Sequence, residues 1–150
     1  MTEQTSTASA DPGMIPLAVV GAHITGMPLN HELTTPGGHL IRAARTAPLY
    51  RLFELPGTTP RKPGLLRVGP ESGAAIEVEI WALPAAAFGL FVSRIPAPLG
   101  IGTLSLSDGT QAKGFLCEEI GTRDARDITA FGGWRAWIAE VSGVPAADRA

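Results

Sequence analysis

Cysteine is nearly missing from this chain: Cys117 stands alone among 150 residues. One thiol per chain excludes an intrachain disulfide framework and a cysteine-built zinc site. Cys117 follows Phe115 and Leu116, so it is expected to be a small core residue rather than a nucleophile. A reducing, cytoplasmic setting is the matching expectation. Charge is also thin, at 17 % of residues with a formal net charge of −2, and lysine and arginine form no block or basic stripe. Such a chain exerts no general attraction on nucleic acid. No apolar run is long enough to cross a membrane as a helix. His23, His31 and His39 stand eight apart in loop-rich sequence. That spacing matches no metal-ligand pattern, so neither a metal nor a cofactor is expected.

The length suits one domain around one core. The first thirteen residues are rich in Ser, Thr and Ala, with neither a charged start nor an apolar centre. They read as a disordered tail rather than a signal peptide. The expected domain runs over 14–143, and 144–150 reads as a second tail.

Within that domain the informative stretch is Val19 to Asn30. The apolar run Leu17 to Val20 is a buried first strand, and Gly21, Gly26 and Pro28 force a loop at its end. The glycines let main-chain amides approach a bound group. His23 titrates near neutrality, and Asn30 adds a neutral donor and acceptor. Bare amides, an imidazole and a carboxamide suit a small anion. An ordinary strand-to-helix turn with a surface histidine has the same signature.

His31 to Leu33 is expected to make one helical turn, stopped at Pro36 to Gly38. Extended segments follow over 39–46 and 49–55. Alternation in the second places Leu49, Arg51, Phe53 and Leu55 on one face, with Tyr50 on the other. Arg51 therefore shares an apolar face and needs a partner, from the protein or from a ligand, unless it reaches solvent at a rim. Residues 56–64 read as a surface loop and 65–68 as a short strand. The clearest strand is 75–83, with Ile76, Val78 and Ile80 on a buried face and Glu77, Glu79 and Trp81 on a mostly polar one, where both glutamates are expected in solvent. One of those glutamates is an alternative answer to Arg51.

Pro84 suits a helix start, and Phe88, Phe91, Val92 and Ile95 give that helix a core-facing stripe. The glycines of 98–103 offer a second place for a close backbone approach. Asp108-Gly109 marks a hairpin between 103–106 and 110–117, with Lys113 on the same face as Phe115 and Cys117. A last helix carries Trp134, Trp137, Ile138 and Val141 on one face and stops at Gly143.

Five stretches together resemble one family. They are 21–30 (Gly-Ala-His-Ile-Thr-Gly-Met-Pro-Leu-Asn), 45–52 (Arg-Thr-Ala-Pro-Leu-Tyr-Arg-Leu), 96–102 (Pro-Ala-Pro-Leu-Gly-Ile-Gly), 113–118 (Lys-Gly-Phe-Leu-Cys-Glu) and 127–135 (Asp-Ile-Thr-Ala-Phe-Gly-Gly-Trp-Arg). In this order they resemble the allophanate hydrolase C-terminal domain, from about Leu17 to Val141. The resemblance implies an α+β fold: a mixed-strand β-barrel with flanking helices, γ-glutamylcyclotransferase-like. It implies a place in urea degradation and nitrogen metabolism, where an amidase domain takes ammonia from allophanate. The C-terminal domain, as a lyase, then decarboxylates the product N-carboxycarbamate. No amidase signature is present, so the chain is an excised domain or a free-standing relative. Cyclotransferase chemistry needs a catalytic glutamate, and 95–102 carries no acid.

Loss of CO2 from N-carboxycarbamate leaves charge on nitrogen. It calls for a proton donor there and for fixed donors on the retained carboxylate. His23 is the candidate acid. The candidate oxygen holders are Gly21, Ala22 and Asn30, the bend at Leu99, Gly100 and Gly102, and Arg51 as a bidentate clamp. Tyr50 and Lys113 are lesser candidates. The expected ligand is a small carboxylate, with an amidase domain or subunit and a homodimer as open possibilities. A non-catalytic assembly or small-carboxylate-binding module is the alternative reading.

Overall fold

The structure, a computed structural model, describes residues 12–143. The expected tails fall almost wholly on residues outside that range. Strand β1 (Met14–Val19) lies at the centre because its apolar run can be covered on both faces. It pairs antiparallel with β5 (Glu77–Pro84) and parallel with β7 (Gln111–Cys117). Strand β2 (His39–Arg45) lies outside β5, and β6 (Leu99–Ser105) lies outside β7. The order is thus β2-β5-β1-β7-β6. A smaller sheet has the order β4-β3-β8, from Pro63–Arg67, Tyr50–Glu54 and Arg126–Asp127. The α+β class and its mixed strands match the expectation.

The barrel does not close. Among the described residues, edge strands β2 and β6 meet beyond their ends at one bridge, Thr46 with Leu106. The Ala47 amide donates to the Ser105 carbonyl there, and the Ser107 amide to the Arg45 carbonyl. The large sheet curls until two corners touch, and among the described residues no ladder joins β2 to β6.

Two strand readings are corrected by tertiary packing. On β3 alternation holds, but the fully buried face carries Tyr50 and Leu52, while Arg51 and Phe53 are only half-buried. On β5 both faces are covered. Glu79 and Trp81 are 9 % and 5 % exposed, because loop 21–30 and Arg135 lie over that face. Glu79 is therefore not solvated.

Helix α1 (His31–Thr34) is the expected single turn. Helix α2 (Ala85–Ser93) follows β5 without a loop and lies against β1 and β5. Its Phe88 and Phe91 pack on the core, yet no residue of the helix is fully buried. Helix α3 (Trp134–Ser142) buries Trp134 and Trp137 and ends at Gly143 with φ +75°.

Candidate functional site

The loop after β1 is built by short-range hydrogen bonds. The Ile24 amide donates to the Gly21 carbonyl, the Leu29 amide to that of Ala22, and the Asn30 carboxamide to that of His23 at 2.8 Å. Gly26 sits at φ +86°, where a side chain would be strained. Gly21 is needed for a different reason. A Cβ there would come 2.2 Å from the Pro63 ring, so only glycine lets β4 lie this close.

Buried Glu79 holds the loop from behind. One carboxylate oxygen accepts from the Thr25 amide at 2.8 Å, the Thr25 hydroxyl at 2.9 Å and the Trp81 indole at 3.0 Å. The other faces Arg135 of α3 at 3.5 Å, and that guanidinium also donates to the Thr25 carbonyl. Three segments distant in sequence, loop 21–30, β5 and α3, thus converge two residues after His23.

On its other side the loop forms the floor of a cavity of about 440 Å³. The His23 imidazole stacks on Phe115, with centroids 5.3 Å apart, and meets Phe91 edge-on at 5.1 Å. Its Nε2 is 2.8 Å from Glu32 Oε1. The side chain is only 12 % exposed. Burial pushes the imidazole below its ordinary 6.5. The Glu32 carboxylate pulls it back up, and Lys62 and His31 push it down again. A neutral ring between two phenyl groups results, its orientation fixed by one carboxylate.

Lys62 and Arg94 also line this cavity. Neither has an ion-pair partner among the described residues, whereas Arg42, Arg51, Arg61, Arg123 and Arg135 are all paired. Two unpaired cations and one carboxylate, Glu32, leave the lining with a surplus of positive charge. Among the described residues no cluster of His, Cys, Asp or Glu has the arrangement of a metal site.

Several residues read from the sequence do meet here: Gly21, Ala22, His23 and Leu99 share the cavity wall. Asn30 acts one step back, through the His23 carbonyl. Others lie elsewhere. Arg51 donates to Asp127 at 2.8 Å and to the Ser72 carbonyl, so the protein supplies its partner and neither β5 glutamate does. Tyr50 is wholly buried, and its hydroxyl accepts from the Ser105 amide, tying the two sheets together. Lys113 is exposed and donates to Thr103. Gly100 lines a separate open depression with Cys117 and Glu118. Gly102 is absent from the cavity lining, and a Cβ there would meet the terminal methyl of Leu116 at 2.5 Å. Cys117 is a buried, free thiol, pushed up from 9.0 by its burial and by Glu118, which disfavours its thiolate.

The sequence reading missed Glu32, Lys62, Arg94, Phe91 and Phe115 as site residues. Periodicity puts Phe91 on the core stripe 88-91-92-95. The face of α2 that looks into the cavity is Ala87, Leu90, Phe91 and Arg94, an equally regular i, i+3, i+4, i+7 stripe. Arg94 at its end was the available signal.

Comparison with known proteins follows the same outline. The family model for the allophanate hydrolase C-terminal domain matches residues 15–139. Urea amidolyase of Saccharomyces cerevisiae is 44 % identical over 127 residues, which cover 83 % of this chain and 7 % of that protein. The chain therefore spans a small fraction of such curated relatives. The solved Kluyveromyces lactis allophanate hydrolase superimposes with a TM-score of 0.83 at 38 % identity, over 89 % of this chain and 22 % of that one. A uropathogenic E. coli-specific protein of known structure matches with a TM-score of 0.77 at 38 % identity, over 84 % of this chain and 96 % of its own. This chain belongs to the allophanate hydrolase C-terminal domain family.

Proposed function

We propose that the His23 cavity decarboxylates a small N-carboxylated dianion such as N-carboxycarbamate, in the breakdown of urea-derived allophanate. The observation that carries this reading is one titratable side chain, His23, pinned by Glu32 and two phenyl rings in a cavity with two unpaired cations. The relatives' names, urea amidolyase and allophanate hydrolase, supply the metabolic setting.

The chemistry divides among these groups. Lys62 and Arg94 receive the carboxylates. An arriving dianion reverses the balance at His23, because a nearby negative charge favours the imidazolium. The carbon–nitrogen bond then breaks, its electron pair stays on nitrogen, and CO2 leaves. The imidazolium gives its proton to that nitrogen, so the products are CO2 and carbamate. Shedding charge from the departing carboxylate is favoured beside the Phe91 and Phe115 rings rather than in water. Glu32 positions the ring and steadies its charged form.

The test generates N-carboxycarbamate in situ with an amidase domain and follows CO2 release. Added wild-type chain should accelerate release, and His23→Gln should lose roughly a hundredfold, the usual lower range for a positioned acid. Equal release with and without the protein would remove the decarboxylase reading. A second reading, an assembly module for an amidase domain or subunit, draws on the small share that this domain occupies in its relatives. It is favoured if the domain binds such a partner while His23→Gln changes nothing.

A further inference from the structure

Every polar group of Thr25 is engaged from outside its own loop. Its amide and hydroxyl donate to Glu79 of β5 at 2.8 and 2.9 Å, and its carbonyl accepts from Arg135 of α3 at 3.1 Å. Among the described residues, every other hydrogen bond of loop 21–30 closes within residues 21–34. Thr25 is therefore the point at which hydrogen bonds fasten this loop to the rest of the fold. Arg135 completes that point with both arms of its guanidinium. One takes the Thr25 carbonyl, and the other faces Glu79 at 3.5 Å. Among the described residues it is the one cation paired with this buried carboxylate, whose other partners, Thr25 and Trp81, are neutral donors. Arg135 stands on a firm base, because Trp134 and Trp137 beside it on α3 are 1 % and 2 % exposed. It is absent from the cavity lining, so anything it does for the site it does through the loop.

We infer that Arg135 is a positioning residue for His23: from α3 it holds Thr25, and through Thr25 it sets how the imidazole sits between Phe91 and Phe115 and against Glu32. The inference rests on His23 being the working group of the cavity, as proposed above. His23 lies two residues before Thr25, and its ring contacts are close, at 5.1 and 5.3 Å between centroids and 2.8 Å to Glu32. A radial gap of about 0.5–1 Å forfeits a quarter to a half of a packing contact, so a small movement of the loop is felt at the ring. The same contact joins two of the five family stretches, 21–30 and 127–135, through the Thr25 carbonyl and the Arg135 guanidinium.

Two readouts on the full chain test it. The NMR signals of the His23 ring protons report its position without any reaction, since the Phe91 and Phe115 ring currents displace them from their ordinary values. Arg135→Ala should move these signals toward those of an unstacked imidazole. Arg135→Lys keeps the positive charge but not the two-armed grip, and should move them in the same direction by less. It also carries the test if Arg135→Ala does not fold. Arg51→Ala breaks an ion pair elsewhere on the fold and should leave the signals in place, which separates positioning from general loosening. In CO2 release from N-carboxycarbamate, Arg135→Ala should lower kcat roughly tenfold to a hundredfold, the cost of about an ångström of misplacement, with KM little changed. His23 signals that stay in place in Arg135→Ala would overturn the inference and leave the decarboxylase reading standing. Displaced signals with kcat unchanged would overturn it as well. Displaced signals in a chain whose wild type releases no additional CO2 would uphold the hold of Arg135 on His23 and remove the decarboxylase reading alone.

Discussion

At the scale of single residues, the site depends on how one imidazole is housed. Burial outweighs the Glu32 carboxylate and holds the His23 imidazole below its ordinary 6.5, which favours the neutral ring at pH 7. If the free protein must supply imidazolium, kcat/KM should fall as pH rises through a value below 6.5. In the complex the dianion raises that value, so kcat should fall at higher pH than kcat/KM does. Rate profiles measured from pH 5 to 9 check this, and superimposable limbs would contradict it. Glu32→Gln removes a group that raises the imidazole's pKa, so its kcat/KM limb should move further to acid. Arg51 behaves differently. Its half-exposed pair with Asp127 contributes at most about 1 kcal/mol. Arg51→Ala should lower stability by that amount in urea unfolding and leave CO2 release intact. The sequence indicated that Arg51 needs a partner unless it reaches solvent at a rim. It was silent on which one, because Asp127 lies 76 positions away and only the β3–β8 pairing brings it near.

At the scale of elements, loop 21–30 is positioned by its neighbours as much as by its own residues. Glu79, read from alternation as a solvated side chain, is the buried acceptor that holds Thr25 and Arg135. Period-two patterning distinguishes the faces of a strand but does not say whether a second layer covers the polar face. Glu79→Leu leaves the Thr25 and Trp81 donors without an acceptor and should cost about 1–3 kcal/mol. Denaturant unfolding measures the loss, and a change under 0.5 kcal/mol would contradict the anchoring role. Gly21→Ala must push Pro63 away, and overpacking of that kind costs roughly 1–3 kcal/mol. Because Gly21 and Pro63 both line the cavity, that substitution should depress CO2 release as well. Elements with strong local signals were legible: the first strand, the Asp108-Gly109 hairpin and the tryptophan helix that ends at Gly143. Helix α2 was legible as a helix. Its cavity face was not, since an almost uniformly apolar stretch offers no polar side by which to orient it.

At the scale of the whole molecule, the curled sheet gathers distant segments around one cavity. Loop 21–30 leaves the central strand, Lys62 and Pro63 enter from the smaller sheet, and α2 lies over β1 and β5. The five family stretches sit on or beside these elements, so membership was readable from the sequence. Closure was not, because whether β2 and β6 pair along their length depends on sheet curvature rather than on either strand's residues. Acid should loosen the whole fold in two stages. His23 has a depressed value, so its contribution is complete above 6.5 and is lost as pH falls through the lower folded value. Asp127 is pushed up by burial but held below 3.8 by Thr129 and Arg51. Its contribution is complete above 3.8 and is lost below that. Thermal unfolding midpoints from pH 7 to 3 should show both losses, and His23→Gln should abolish the earlier one. The most direct test of the account is an NMR titration of the His23 ring, alone and with saturating malonate as an inert dianion. The account predicts a midpoint below 6.5 in the free protein and a clear upward shift with malonate. A midpoint that malonate leaves in place would contradict the claim that this imidazole meets the dianion and supplies its proton.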